Sequence, residues 1–137
     1  MLSKLRWVFS ILLPTRVIAC RGLRGATVVG SNTKESIVEA TVELLTALVE
    51  DNQVTISNVV AIFFTTTSDL NAEFPALAAR GTLGWTSVPL MCGHEMNVPG
   101  SMENVIRIMM LINTDKGQAD INHVYLRGAG NLRSDCD

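Results

Sequence analysis

The sequence predicts a single α/β (α+β) domain in which a mixed β-sheet packs with helices on one side, and three observations carry that reading. The chain has 137 residues, about one domain's worth, and a core of that size can bury roughly two-thirds of the unfolded surface. Apolar runs of strand length alternate with a stretch of helical periodicity, the pattern of strands interleaved with helices. Hydrophobic residues make up 47% and charged residues 18%, below the roughly 25% charge of ordinary soluble domains. That balance excludes disorder and leads us to expect surface hidden in an oligomer.

The elements follow in order. Val17–Arg24 reads as the first strand, and Gly25-Ala26 with the polar Gly30-Ser31-Asn32-Thr33 as a turn. Asn32 with Glu35 three residues on resembles a capping box and opens a helix. Ile37, Thr41, Leu44, Leu45, Leu48 and Val49 fall on one face of it, and the acidic positions mainly outside, up to an end near Asp51-Asn52. Val59–Thr66 is continuously apolar and β-branched, which suits a strand covered on both faces. Residues 74–80 read as a short helix with Pro75 in its first turn, closed by Gly81 and Gly84. Thr86–Met91 is the third strand, followed by a polar stretch through Glu95; Val105–Asn113 is the most hydrophobic strand, and about His123–Leu126 the last.

Residues 1–16 stand apart. They carry Lys4, Arg6 and Arg16 without an acid, and the run Trp7–Leu13 before Ala19-Cys20 imitates a lipoprotein signal. Ser10 and Pro14 interrupt it, Arg16 sits where a cleavage region is uncharged, and cleavage would cut the first strand. The run is also far below the roughly 20 residues of a membrane span. We therefore read 1–16 as an appendage, 17–137 as the folded domain, and expect a cytoplasmic protein.

The net charge of −2 hides this split: beyond residue 16, 8 basic against 13 acidic groups leave −5. No basic run remains, which argues against a nucleic-acid surface. Six of those eight basic residues are arginines, at 21, 24, 80, 107, 127 and 133. A body so poor in lysine points to the planar guanidinium fork and hence to carboxylate or phosphate recognition. The three cysteines, 20, 92 and 136, form no CxxC pair, and His94 and His123 lack ligand spacing. Neither a disulfide scaffold nor a metal site is expected.

Arg107 is the most informative residue, because a permanent charge inside a buried strand costs several kcal/mol unless a counter-charge meets it. Its partner is either a carboxylate of the chain or a ligand. Arg21 and Arg24, three apart in a strand, face opposite sides. Glu95 lies just after a strand, where functional groups concentrate. Tyr125 is the only tyrosine, and its ordinary role is a core ring with a satisfied hydroxyl. Cys92 beside His94 is a poor nucleophile and base pair, since sequence neighbours seldom attain that geometry. No P-loop, dinucleotide fingerprint or hydrolase elbow is present, and the residues alone describe a small anion-binding α/β protein.

A family resemblance extends this. RGLRGAT at 21–27, TSDLNAEFPALAAR at 67–80, GW at 84–85 with VPLMCGHEM at 88–96, VIRIMMLINTD at 105–115 and HVYLRGAGNLR at 123–133 resemble the monofunctional, trimeric chorismate mutases of the AroH type. The likeness runs in order and nearly ungapped from about Val17 to Arg133. It implies a barrel-like homotrimer with active sites between subunits and the rearrangement of chorismate to prephenate in phenylalanine and tyrosine biosynthesis. That [3,3] reaction needs no nucleophile, no general acid or base and no cofactor. It needs a flexible dianion held in its reactive conformer and charge stabilised on the breaking ether oxygen.

By the resemblance, Arg107 bonds the ether oxygen and a carboxylate, and Arg24 binds the side-chain carboxylate with help from the Tyr125 hydroxyl. Glu95 and Cys92 match positions contacting the ring hydroxyl, and Phe74, Met96 and Leu132 the apolar lining. Arg80 matches a basic residue at the entrance, and Arg133 a tail that closes over the site. Two departures stand out: Leu77 replaces a lysine of the family pattern, and little chain follows Arg133. Both are expected to weaken substrate capture, raising KM more than they lower kcat. The competing readings are a catalytically silent trimer that binds a carboxylate metabolite and a trimeric imine deaminase of similar shape.

Overall fold

The structure is a computed structural model and describes residues 16–132. The expected appendage, but for Arg16, and the expected closing residue Arg133 lie outside those residues.

Five strands form one mixed sheet: β1 (Ala19–Val28), β2 (Val59–Thr66), β3 (Leu90–His94), β4 (Val105–Thr114) and β5 (Val124–Tyr125), in the order β3-β2-β4-β1-β5. β4 runs antiparallel to both β1 and β2, whereas β3 joins β2 and β5 joins β1 in parallel. Strand-to-strand parallel steps need a crossover, and α1 (Lys34–Asn52) occupies the longest connection.

α1 packs on one face of the sheet. Its apolar stripe, Ile37, Ala40, Leu44, Leu45 and Leu48, is fully buried, and Leu44, Leu45 and Leu48 share a core cluster with Leu23, Ile62, Phe64, Ile108 and Met110. The N-cap is Thr33 rather than Asn32: the Thr33 hydroxyl accepts the Ser36 N–H at 3.2 Å. Asn32 instead clamps the distant loop after β2, its side-chain oxygen accepting the N–H groups of Asn71 and Ala72, both at 3.0 Å. Gln53, at φ 52°, ends the helix in the left-handed conformation.

Four sequence expectations shift. β1 continues through Gly25-Ala26, because Gly25 admits the helix: a Cβ there would lie 3.0 Å from both Leu44 and Leu48. The glycine marks close packing, not a turn. β2 is not covered on both faces: Ile62 and Phe64 are buried beneath α1, whereas Val60 and Phe63 are exposed on the other side. The third strand begins at Leu90 instead of Thr86 and takes in Cys92, Gly93 and His94, since pairing with β2 outweighs their weak strand propensity. The short helix is real but later and wider, with a π-helical turn at Ala78–Thr82. No helix among the described residues is long and apolar enough to cross a membrane.

Candidate functional site

Strand register builds the site. Gly93, Thr65, Arg107, Ala26 and Tyr125 lie in one row across β3, β2, β4, β1 and β5, and Met91, Phe63, Met109 and Arg24 in the next row along the strands. Because side chains alternate faces, both rows project from the face opposite α1. A cleft of about 470 Å³ opens there, lined by Arg24, Phe63, Thr65, Arg107, Met109, Tyr125 and Leu132 among others.

Arg107 sits at its centre, but not as a buried charge. β4 alternates, and the Arg107 side chain, 49% exposed, stands on the open side. The expected burial cost therefore does not arise in the single chain. What remains is the expected counter-charge: Glu95 Oε2 lies 3.6 Å from Arg107 Nε. Glu95 leaves β3 with its N–H donating to the Thr66 carbonyl at 2.7 Å, and its carboxylate also accepts from the Thr65 hydroxyl at 2.9 Å. Thr65 escaped the sequence reading. A polar residue ending an apolar strand was visible, but its place beside Arg107 depends on register.

Arg24 shares the cleft, its side chain on the face opposite Leu23 as strand alternation requires. Its backbone N–H donates to His123 Nδ1 at 3.0 Å, which ties β1 to the segment entering β5. Arg21 turns the other way and donates from Nε to the Lys116 carbonyl at 3.1 Å. Among the described residues no carboxylate is in ion-pair range of Arg24 or Arg80.

The other expected residues fall elsewhere in the single chain. Phe74 and Cys92 line a second cleft of about 360 Å³ with Thr66, Glu73 and His94. Cys92 pairs with Phe64 and so points to the face opposite Gly93 and Thr65. Burial pushes its thiol above the usual range, against a backbone hydrogen bond at Ala76 and the charge of Arg80, which pull it down. Cys92 is thus a neutral thiol and no nucleophile. His94 Nδ1 lies 3.1 Å from the Thr66 hydroxyl, which itself donates to the Leu70 carbonyl; His94 Nδ1 is accordingly the donor in that pair. Met96 belongs to neither cleft and lines a loop pocket with Val98 and Pro99. Leu77 lines a groove beside Val38 and Val42 of α1.

Arg127 proves to be a clip. It holds Glu43 of α1 through Nε at 3.4 Å and Nη2 at 2.6 Å, and Glu39 lies 4.0 Å away. The hydrogen bond to Glu43 raises its pKa further above the ordinary arginine value, outweighing desolvation, with the charges of Glu43 and Glu39 adding to the effect. Among the described residues no group of three or more His, Cys, Asp or Glu is arranged to hold a metal ion.

The sequence matches the family model described as chorismate mutase type I over residues 20–136. It is 44% identical over 115 residues to chorismate mutase AroH of Bacillus subtilis (strain 168), covering 84% of this chain and 91% of that one. It is 46% identical over 118 residues to chorismate mutase AroH of Thermus thermophilus, covering 85% of this chain and 96% of that one. Among solved structures it is similar to the chorismate mutase from Clostridium thermocellum, with a TM-score of 0.79 and 51% identity over 81% of this chain and 98% of that one.

Proposed function

The chain belongs to the chorismate mutase type I family, and from that premise we propose how its clefts carry out the reaction. The activity is that of an isomerase, a chorismate mutase. In the rearrangement of chorismate to prephenate one ether C–O bond breaks as a C–C bond forms within the same molecule, and negative charge gathers on the ether oxygen. Arg107 donates to that oxygen, and to a substrate carboxylate, from the guanidinium edge not facing Glu95. Arg24 and the Tyr125 hydroxyl hold the side-chain carboxylate, and Leu132 closes the apolar edge. A preorganised donor of this kind acts where charge develops and pays no reorganisation at the moment of reaction. The observation that carries the reading is the convergence of Arg24, Arg107 and Tyr125 on one cleft.

Phe74, Arg80 and Cys92 come from a neighbouring copy. Phe74 and Cys92, with Arg80 close enough to act on the Cys92 thiol, form a second half-site that no single chain joins to the first. We read the active protein as a cytoplasmic homotrimer with barrel-like packing, in which the arginine cleft of one copy meets the Phe74–Cys92 cleft of the next. The uncovered sheet face supports this: Phe63, Met91 and Met109 are 39%, 64% and 38% exposed in one continuous row. Large contiguous apolar surface of that kind marks an interface.

The test is chorismate consumption by the purified protein, followed by subunit mixing. Arg107→Lys and Arg80→Ala chains, each defective alone, should regain activity when refolded together, because some mixed sites then contain both intact halves. Defective chains that never complement one another would contradict a shared site, and wild-type protein that leaves chorismate unchanged would contradict the activity.

A further inference from the structure

Resting on the reading above, we propose that Thr65 is a positioning residue for the rearrangement, locking Glu95 so that Arg107 presents its free guanidinium edge to the substrate. Glu95 Oε2 and Arg107 Nε are 3.6 Å apart, outside good hydrogen-bond distance. Their side chains are 31% and 49% exposed, and a pair that open to water holds two long side chains only weakly. Left to itself, it would not fix the orientation of Arg107.

Thr65 supplies the missing constraint. Its hydroxyl donates to Glu95 Oε2 at 2.9 Å, a hydrogen bond to an ionised oxygen and therefore stronger than a neutral one. A β-branched side chain on a strand has little χ1 freedom, so the hydroxyl is aimed by the sheet itself. Thr65 lies directly across from Arg107 on one side and Gly93 on the other. Glu95 is tethered in turn by its own N–H to the Thr66 carbonyl at 2.7 Å. One carboxylate oxygen thus has two neighbours: a rigid donor on β2 and the flexible guanidinium on β4. The chain from Thr65 through Glu95 transmits the order of the strand to the group that must meet the ether oxygen. Thr65 itself borders the cleft and leaves the reacting atoms to Arg107.

The experiment compares Thr65→Val, which keeps shape and strand preference but loses the hydroxyl, with Thr65→Ser, which keeps the hydroxyl, in chorismate turnover by the assembled enzyme. Thr65→Val should lower kcat about tenfold, well inside the hundredfold that a misplacement of about 1 Å can cost, with KM changed less than about twofold. Thr65→Ser should restore most of that loss. In a Glu95→Gln background, Thr65→Val should add little, because the constraint it removes has already lost its charged acceptor. Wild-type kcat in Thr65→Val, equal losses in the Val and Ser variants, or a full additional loss on top of Glu95→Gln would each overturn the role of Thr65. If wild-type protein does not convert chorismate, the functional reading falls and this proposal with it; if it does and Thr65→Val matches it, only the proposal falls.

Discussion

A guanidinium gripped along one edge differs from one free in water, because its remaining donors point in a known direction. In the proposed arrangement Arg107 owes that to Glu95 once Thr65 holds the carboxylate in place. Its prominence in the sequence rests on a charge inside an apolar run, which leaves the partner open between a carboxylate and a ligand; the residue is exposed rather than buried, and Glu95 lies 3.6 Å away. Thr65 was illegible for the opposite reason: a threonine at the end of a strand is ordinary, and only register gives it a role. Cys92 offers a separate check at this scale. Its raised thiol pKa means fewer thiolates at mildly alkaline pH, so alkylation should be slower at Cys92 than at the exposed Cys20 when peptides are mapped by mass spectrometry. Faster labelling of Cys92 would contradict its burial. The sign for stability follows: the contribution of the neutral thiol is complete below the ordinary thiol range and is lost as pH rises through the raised value.

At the scale of elements, α1 and β4 were readable because period and propensity agree there. α1 has a continuous apolar stripe, and β4 alternates buried and more exposed positions from Ile106 onward. The edges were harder. β3 was displaced because a parallel partner, not its own residues, decides where it pairs, and Gly25 was mistaken for a turn because its reason lies in two leucines of another element. That contact makes a prediction. Gly25→Ala should destabilise the protein by about 1–3 kcal/mol through overpacking against Leu44 and Leu48, seen as a lower denaturation midpoint with unchanged slope; an unchanged midpoint would show that the helix can give way. At the helix start, Thr33→Ala should cost about 1 kcal/mol through loss of the bond to Ser36, whereas Asn32→Ala should loosen the loop at Asn71 and Ala72. Exchange of the amide protons of Asn71 and Ala72 should rise in Asn32→Ala alone.

For the whole molecule, low charge and high apolar content predict hidden surface, and the single chain leaves Phe63, Met91 and Met109 exposed on the sheet face opposite α1. The division of the expected site residues into two clefts could not be read from the sequence, because order along a chain does not say which face of the sheet each residue meets. Met91→Lys, on the edge strand of that face and outside both clefts, should keep the far-ultraviolet spectrum of a folded domain but shift sizing chromatography to a monomer and abolish turnover. A monomer active at nanomolar concentration would refute sites built between copies. The proposed chemistry turns on one guanidinium, and the most direct measurement is chorismate turnover by Arg107→Lys, which keeps the charge but loses the fork. The Arg107→Lys enzyme should have a kcat at least about a hundredfold lower, roughly 3 kcal/mol of lost transition-state stabilisation, with the fold intact; a kcat equal to that of the wild type would contradict the role of Arg107.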